Sequence, residues 1–451
     1  MRVFPDRCAP MVRTVLALLA ALCVLWPAVT GATEPMPQGA LIVPQDSRSG
    51  PGFDVERATR AYLDSLPAEA RSKSDAYYEG GYWLTLWGLL YGLAVAGVLL
   101  FGRIAARLRD RVERISRRPW VQALLCSAGL IVLLSVFSLP LSLYRGWYRE
   151  HQYGLSSLSL GSWFIEQAKG LALTVALGAP VLALIYAVVR RRRGDWWLPA
   201  AVVSVLFIFF VNFIGPVFVM PVFNKFQPLG PGPVRDSVLA LARANEVPAH
   251  DVYWFDASKQ TKRISANVSG LFGTTRVSLN DNLLGETSLP EIKAVMAHEL
   301  GHYVLNHPFK RVLQFGLVLA AGFAFAQWAQ RRLLARWGQR WEVRGAGDVA
   351  GLPLVIALLS LWFFVMTPVT NSIVRSAETE ADLYGLNAAR EPHGFAAVSM
   401  RLAAYRKLEP GALEEFVFYD HPSGATRVRM AMTWAAENPN AGAGAQPVGP
   451  R

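Results

Sequence analysis

The sequence predicts a mainly α-helical, polytopic membrane protein, and three observations carry that fold class. Hydrophobic residues make up 53% of the 451-residue chain and charged residues only 17%, a balance that suits lipid better than water around the fold. Apolar runs of spanning length recur at about 81–102, 120–144, 169–189, 196–221, 311–330 and 350–374. Arginines crowd the short loops between several of these runs, a pattern that sets orientation across a bilayer.

Taken in order, Val12 to Val29 is an apolar run that follows Arg2, Arg7 and Arg13 and leads into Thr30, Gly31 and Ala32. Residues 1–32 therefore read as a secretory signal peptide or a retained first span. Residues 33–80 are polar, with an amphipathic helical pattern around Val55 to Leu66, and are expected outside the bilayer. Four spans occupy 81–221, and a mixed segment with strand-like and helix-like parts covers 222–310. Two further spans fill 311–374, and a polar segment runs over 375–436. The last stretch, 437–451, is rich in Ala, Gly and Pro and is expected to be disordered.

One arginine-rich loop holds Arg103, Arg107, Arg109, Arg111, Arg114, Arg117 and Arg118, a second Arg190 to Arg193, and a third Arg331, Arg332, Arg336, Arg340 and Arg344. Counting spans puts all three on one side, the cytoplasm by the positive-inside rule. The 222–310 segment and the C-terminal tail then face the periplasm or a lumen, and the Arg-, Ala- and Pro-rich composition points to a bacterial inner membrane. Orientation accounts for the net charge of +12, so no nucleic-acid partner is expected. The three cysteines, Cys8, Cys23 and Cys126, supply neither a disulfide framework nor a Cys-based metal site.

The chemistry concentrates in "AVMAHELGHYVLNH", Ala294 to His307. Upstream, Ser288, Pro290 and Glu291 spell a capping box with proline in the first turn, so a helix should begin there. On that helix His298 and His302 lie four residues apart on one face, the spacing that holds one tetrahedral zinc ion. Glu299 stands beside the metal as general base and acid for peptide hydrolysis. A catalytic zinc needs a third protein ligand and an open position. The best candidate is in "RSAETEADLYGL", where Glu378 and Asp382 share a helical face. Glu378 would ligate zinc and Asp382 would orient a ligand histidine. Separately, "RISANVSGLFGTTRVSL", Arg263 to Leu279, reads as a β-hairpin around Gly270 and Gly273.

HExxH followed by ExxxD, with spans on both sides, resembles the type 1 CAAX prenyl protease family of membrane zinc metallopeptidases and, more distantly, the heat-shock-linked membrane proteases. "PVFNKFQPL", Pro221 to Leu229, "HELGHYVLNH" with its extra His307, and "HPSGATR" with His421 and Arg427 agree with the first. The resemblance implies a bundle or barrel of helices enclosing a water-filled chamber, with a zincin-like helix capping it. It also implies one zinc per chain held by His298, His302 and Glu378, with Glu299 as base. His421 and Arg427 would contact substrate carbonyls or the oxyanion. Asn267 would bind substrate along an edge strand that pairs with the peptide backbone. Chamber water would account for Asn212 and Asn371 bordering apolar runs. The chain departs from the eukaryotic members in facing its zinc away from the cytoplasm.

The expected function is therefore a zinc-dependent membrane endopeptidase acting on membrane-associated, misfolded or CAAX-like peptide substrates. Two other readings compete. A site-2-type intramembrane protease would carry HExxH inside a span with an aspartate partner, whereas this motif follows a long polar segment. A transporter or scaffold with an inactive metal site would have no need for the base.

Overall fold

The computed structural model describes residues 40–48, 50–192, 194–270 and 275–439. The leader or first span expected over 1–32, and residues 440–451 of the tail, lie outside these. The described chain is mostly helical. It opens with α1 (Val55–Asp64), whose Asp54 caps the first turn, and continues into α2 (Ala68–Phe101), α3 (Ile104–Ile115), α4 (Pro119–Gln152), α5 (Leu160–Arg191) and α6 (Trp197–Phe223). A four-stranded segment follows: β1 (Phe226–Pro228), α7 (Pro233–Ala244), β2 (Val252–Phe255), β3 (Ala266–Ser269) and β4 (Arg276–Asn280). Helices α8 (Asp281–Glu286), α9 (Leu289–Val304), α10 (His307–Trp341), α11 (Leu352–Val365), α12 (Thr367–Ala389), α13 (Pro392–Leu402), α14 (Ala412–Phe418) and α15 (Gly424–Glu437) complete it.

Helices α2, α4, α5, α6 and α10 are each long and apolar enough to cross a membrane. The first begins well before the apolar run that marks it in the sequence. Residues 68–80, read as part of a polar segment, continue the same helix because they pack on the C-terminal segment and on α4. Ser74 donates to the Arg406 carbonyl at 3.0 Å, and Tyr77 donates to Glu150 at 2.6 Å.

The run at 350–374 is not one helix. The axes of the α11 and α12 segments diverge by 60°, and Pro368 explains the break: it has no N–H to donate back into α11, and its ring crowds the preceding turn. Residues beyond the bend, Glu378 among them, are thereby redirected.

The strands form one mixed sheet in the order β1-β2-β4-β3. β3 and β4 pair antiparallel with Ala266 opposite Leu279, as a hairpin over Arg263 to Leu279 requires, while β2 and β4 run parallel. β3 is an edge. Beneath the sheet, Val252, Val277, Leu279 and Leu283 pack against Ile292 and Met296 of α9. On the other side of α9, Ala294 joins Tyr62, Leu386, Phe395 and Met432 in a second core.

Helix α9 begins as expected, with Glu291 accepting from both the backbone N–H and hydroxyl of Ser288. Glu291 is fully buried and is neutralised by Arg401. The most extensive contact of α9 is with α12, and the two approach through glycines. A methyl group on Gly385 would lie 3.0 Å from the backbone N of His298, and one on Gly301 would lie 3.0 Å from the Tyr384 ring.

Gly385→Ala should therefore force the helices apart and cost about 1–3 kcal/mol. Gly88→Ala, on α2 where a methyl group meets nothing within 4 Å, should be neutral or gain up to about 1 kcal/mol. Thermal unfolding of both variants in one detergent tests this; equal midpoints would remove the crossing as a packing constraint.

Candidate active site

The close crossing of α9 and α12 sets the geometry of the site. His298 and His302 project from one face of α9 with their Nε2 atoms 3.1 Å apart. Across the crossing, Glu378 places Oε2 at 3.2 Å from His298 Nε2 and Oε1 at 3.4 Å from His302 Nε2. Among the described residues, this trio is the group of His, Cys, Asp and Glu side chains close enough to hold a metal ion. Donors placed tetrahedrally at zinc-ligand distances of ~2.0–2.2 Å lie about 3.3–3.6 Å from one another, close to the separations found. Two imidazoles and one carboxylate are also a donor set suited to zinc.

A further layer of side chains holds the trio in place. Asp382 Oδ1 lies 2.8 Å from His298 Nδ1, at ion-pair distance but off the line of an ideal hydrogen bond. The same carboxylate accepts two bonds from Arg427, Nε at 2.8 Å and a second from Nη2. On the other imidazole, His302 Nδ1 meets His307 Nδ1 at 2.8 Å, and His307 Nε2 meets Glu380 Oε2 at 3.1 Å. His307 is almost completely buried.

Glu299 follows His298 on the helix and lines a cleft of about 190 Å³ together with His298, His421 and Arg427. Burial, reinforced by the charge of Glu378 and opposed by His298 and Arg311, pushes its carboxyl up to about 7. That is a useful value for a group that must both take and return a proton near neutrality. His421 is held by Asp420, whose Oδ1 is 2.8 Å from Nδ1, and brings Nε2 to 3.3 Å from Glu378 Oε2.

Eight of the nine residues singled out in the sequence thus gather around one point. Asn267 stands apart: it lies on β3 opposite Ser278, and the residues of this stretch that line the cleft are Ile264, Ser265 and Ala266. Arg427 commits two of its nitrogens to Asp382 while still lining the cleft. Asn212 is exposed on α6 and satisfies its amide on the Ile208 carbonyl one turn back. Asn371 does line a cavity.

Sequence reasoning missed three participants. Arg311 donates to Glu378 Oε1 at 2.6 Å, Asp420 orients His421, and Glu380 ends the chain through His307. The one available signal was the spacing of His307 and Arg311, four apart at the start of α10 and so on one helical face.

Behind the cleft lies a second cavity of about 860 Å³, bordered by α2, α4, α12 and α14, and Tyr405 and Arg406 line both spaces. Helix α9 is not among the membrane-capable helices, which sets the site-2-type arrangement aside.

Comparison with known proteins agrees with this geometry. Residues 56–225 match the family model described as the CAAX prenyl protease N-terminal region with five membrane helices, and residues 230–435 match peptidase family M48. The "Uncharacterized metalloprotease YhfN" of Bacillus subtilis is 27% identical over 347 residues, covering 76% of this chain and 80% of that protein. "CAAX prenyl protease 1" of Saccharomyces cerevisiae is 32% identical over 267 residues, 55% of this chain and 58% of that protein. The crystal structure of S. mikatae Ste24p superposes with a TM-score of 0.69 at 25% identity, covering 82% of this chain and 90% of that one. Two adjoining family models, a large cavity adjoining the cleft of the HExxH helix and a His-His-Glu trio lead to one conclusion: the chain belongs to peptidase family M48, as a multi-pass membrane metalloendopeptidase.

Proposed function

We propose that the chain binds one zinc ion per molecule through His298, His302 and Glu378, and that it cleaves peptide segments of membrane-associated, misfolded or CAAX-like proteins. The observation that carries this reading is the convergence of three donor atoms at tetrahedral spacing with Glu299 alongside. When bound, the zinc supplies Lewis-acid polarisation of water and of the scissile carbonyl. Glu299 takes the proton from the attacking water and returns it to the leaving amine. His421, fixed through Nδ1 by Asp420, offers Nε2 to the oxygen on which negative charge develops, with the remaining Arg427 nitrogen as a second donor.

The supporting residues fix which nitrogen faces the metal. With Nε2 of His302 turned to zinc, its proton sits on Nδ1 and is donated to His307, whose Nε2–H is donated in turn to Glu380. Asp382 performs the same service for His298, and Arg427 holds Asp382. Ile264 to Ala266, at the start of the edge strand, are positioned to border a peptide lying in the cleft, which Asn267 would contact from further along β3.

By the positive-inside rule the arginine-rich loops support a cytoplasmic position for the other end of the molecule, so the site is proposed to open on the periplasmic side of a bacterial inner membrane. Maleimide labelling of single cysteines in intact cells tests the orientation. A cysteine at Lys225 should react with an impermeant reagent and one at Arg117 should not; the reverse result would invert the topology.

Glu299→Gln should retain zinc near one per chain while peptide turnover falls by at least about 10²-fold. A quenched peptide assay with zinc quantified in parallel measures both, and undiminished turnover in this variant would sink the mechanism. Asp382→Asn should loosen zinc by about 10–100-fold, read by competition with a chromogenic chelator. Unchanged retention there would leave Asp382 without its proposed role.

A further inference from the structure

A third cavity, of about 780 Å³, lies at the end of the molecule away from the catalytic cleft. Helix α10 runs between the two. It starts at His307 and ends at Trp341, just before the stretch from Arg344 to Val349 that forms one wall of this cavity. At a rise of ~1.5 Å per residue, its 35 residues put about 50 Å between the sites. The remaining walls come from α3 and from the ends of three spans. Pro119, Gln122 and Cys126 open α4, Val189 and Arg190 close α5, and Trp196 precedes α6. The cavity therefore sits where the hydrocarbon of a bilayer gives way to its headgroups, and its volume falls within the ~300–1,000 Å³ of small-molecule sites.

Two of its three arginines are neutralised in place: Arg109 pairs with the buried Asp348, and Arg344 pairs with Glu113 at 2.6 Å. Arg190 is held differently. Among the described residues it has no carboxylate within ion-pair distance. Its Nε donates to the Gly347 carbonyl at 3.1 Å and its Nη1 to the Pro119 carbonyl at 2.9 Å, which fixes the guanidinium and leaves Nη2 without a partner. In the same wall, the backbone N–H groups of Gly345, Ala346 and Gly347 make no hydrogen bond within the described chain. Trp196, 3% exposed, adds an indole N–H with no acceptor, although a buried indole ordinarily has one. Spare donors around an unneutralised guanidinium are the complement of an anion.

The rim has the same sign. Arg117, Arg118, Arg191 and Arg192 adjoin the lining residues Pro119 and Arg190 in sequence, are exposed, and form no ion pair among the described residues, against one neighbouring acid, Asp195. Away from the rim the surface turns apolar. Leu184 on α5 and Leu198 and Val202 on α6 are each at least half exposed, and Trp120 stands exposed beside Pro119, as tryptophans do at a membrane boundary. A free anion has no use for that apolar surface, whereas the chains of a lipid do.

We propose that this cavity seats the phosphate of an anionic phospholipid. Nη2 of Arg190 and the N–H groups of Gly345 to Gly347 are its donors, and the acyl chains lie along Leu184, Leu198 and Val202. The bound lipid braces the connection between α10 and α11 against α4 and α5. Basic pockets between helices on the cytoplasmic side of a membrane are suited to such headgroups.

The test titrates the full-length protein, purified in a neutral detergent, with phosphatidylglycerol, phosphatidylcholine or inorganic phosphate. Native mass spectrometry reads bound lipid, and tryptophan fluorescence reads the unfolding midpoint. Phosphatidylglycerol should bind at about one per chain, about tenfold more tightly than phosphatidylcholine, the value of one charge-assisted contact. It should also raise the midpoint, as a ligand of the folded state does, while inorganic phosphate at the same concentration leaves it in place. Arg190→Gln should weaken phosphatidylglycerol about tenfold. Gln122→Glu, which keeps the length of a lining side chain and adds a negative charge, should do the same, and it carries the test if Arg190→Gln does not fold. Arg336→Gln removes an exposed arginine at the same end but outside the cavity. It should change binding by less than about twofold, which separates a built seat from the general attraction of a basic surface for anionic lipid. Equal affinity for the two lipids, a preference that survives both cavity substitutions, or one lost equally in Arg336→Gln would overturn the proposal. So would a midpoint shift from inorganic phosphate equal to that from phosphatidylglycerol. None of these outcomes bears on the peptidase reading, since no readout depends on zinc or turnover.

Discussion

The crossing of α9 with α12 is the constraint on which the remaining structure depends. The two histidines of HExxH are local partners, one helical turn apart, but two imidazoles are not a catalytic metal site. The third donor must come from a distant part of the chain and arrive within a few tenths of an ångström. Gly385, packed against the backbone of His298, allows that approach. The crossing also lets Asp382 reach the far side of His298. Much of what surrounds α9 serves to hold it in place: the sheet on one side, α13 and α15 on the other, and the buried Glu291–Arg401 pair at its start.

The bend at Pro368 explains how a membrane protein presents polar chemistry without burying it in lipid. A straight helix through 350–374 would carry Glu378 onward along the axis of α11. Broken by 60°, it instead lays the acidic turn of α12 across α9. At the opposite end, α3 is tied to the α10–α11 connection by the buried Arg109–Asp348 pair, with Arg344 bridging to Glu113 at 2.6 Å. The arginine loops are therefore more than orientation signals. Removing one partner of a buried pair such as Arg109 and Asp348 strands a charge, which costs far more than losing an exposed one.

The parts of the fold that the sequence disclosed are those governed by local periodicity. Apolar runs revealed the spans, the capping box marked the start of α9 to the residue, and alternation around two glycines revealed the hairpin. Residues whose chemistry is fixed by spacing within one helix, His298, Glu299 and His302, or Glu378 and Asp382, were equally legible. The residues that escaped notice act across elements. The spacing of Arg311 from His307 puts it on the right helical face but does not say that its guanidinium meets Glu378, Glu380 falls off the face shared by Glu378 and Asp382, and an isolated Asp420 has no periodic signature. The extension of α2 back to Ala68 was hidden for a related reason: its polar residues point to tertiary partners, and that packing overrides the polarity that suggested a loop. Resemblance supplied His421, which composition alone would have left as a residue before a proline.

Charge balance bears on what the reactive centre can stabilise. In the cluster, Glu299, Glu378 and Asp382 face Arg311 and Arg427, so with neutral histidines and an ionised Glu299 one negative charge remains. A divalent cation held by His298, His302 and Glu378 would reverse that to a single positive charge. The site would then be complementary to an attacking oxygen and to the oxyanion that follows, and less so to a neutral ground-state peptide, which is what acceleration of the chemical step requires.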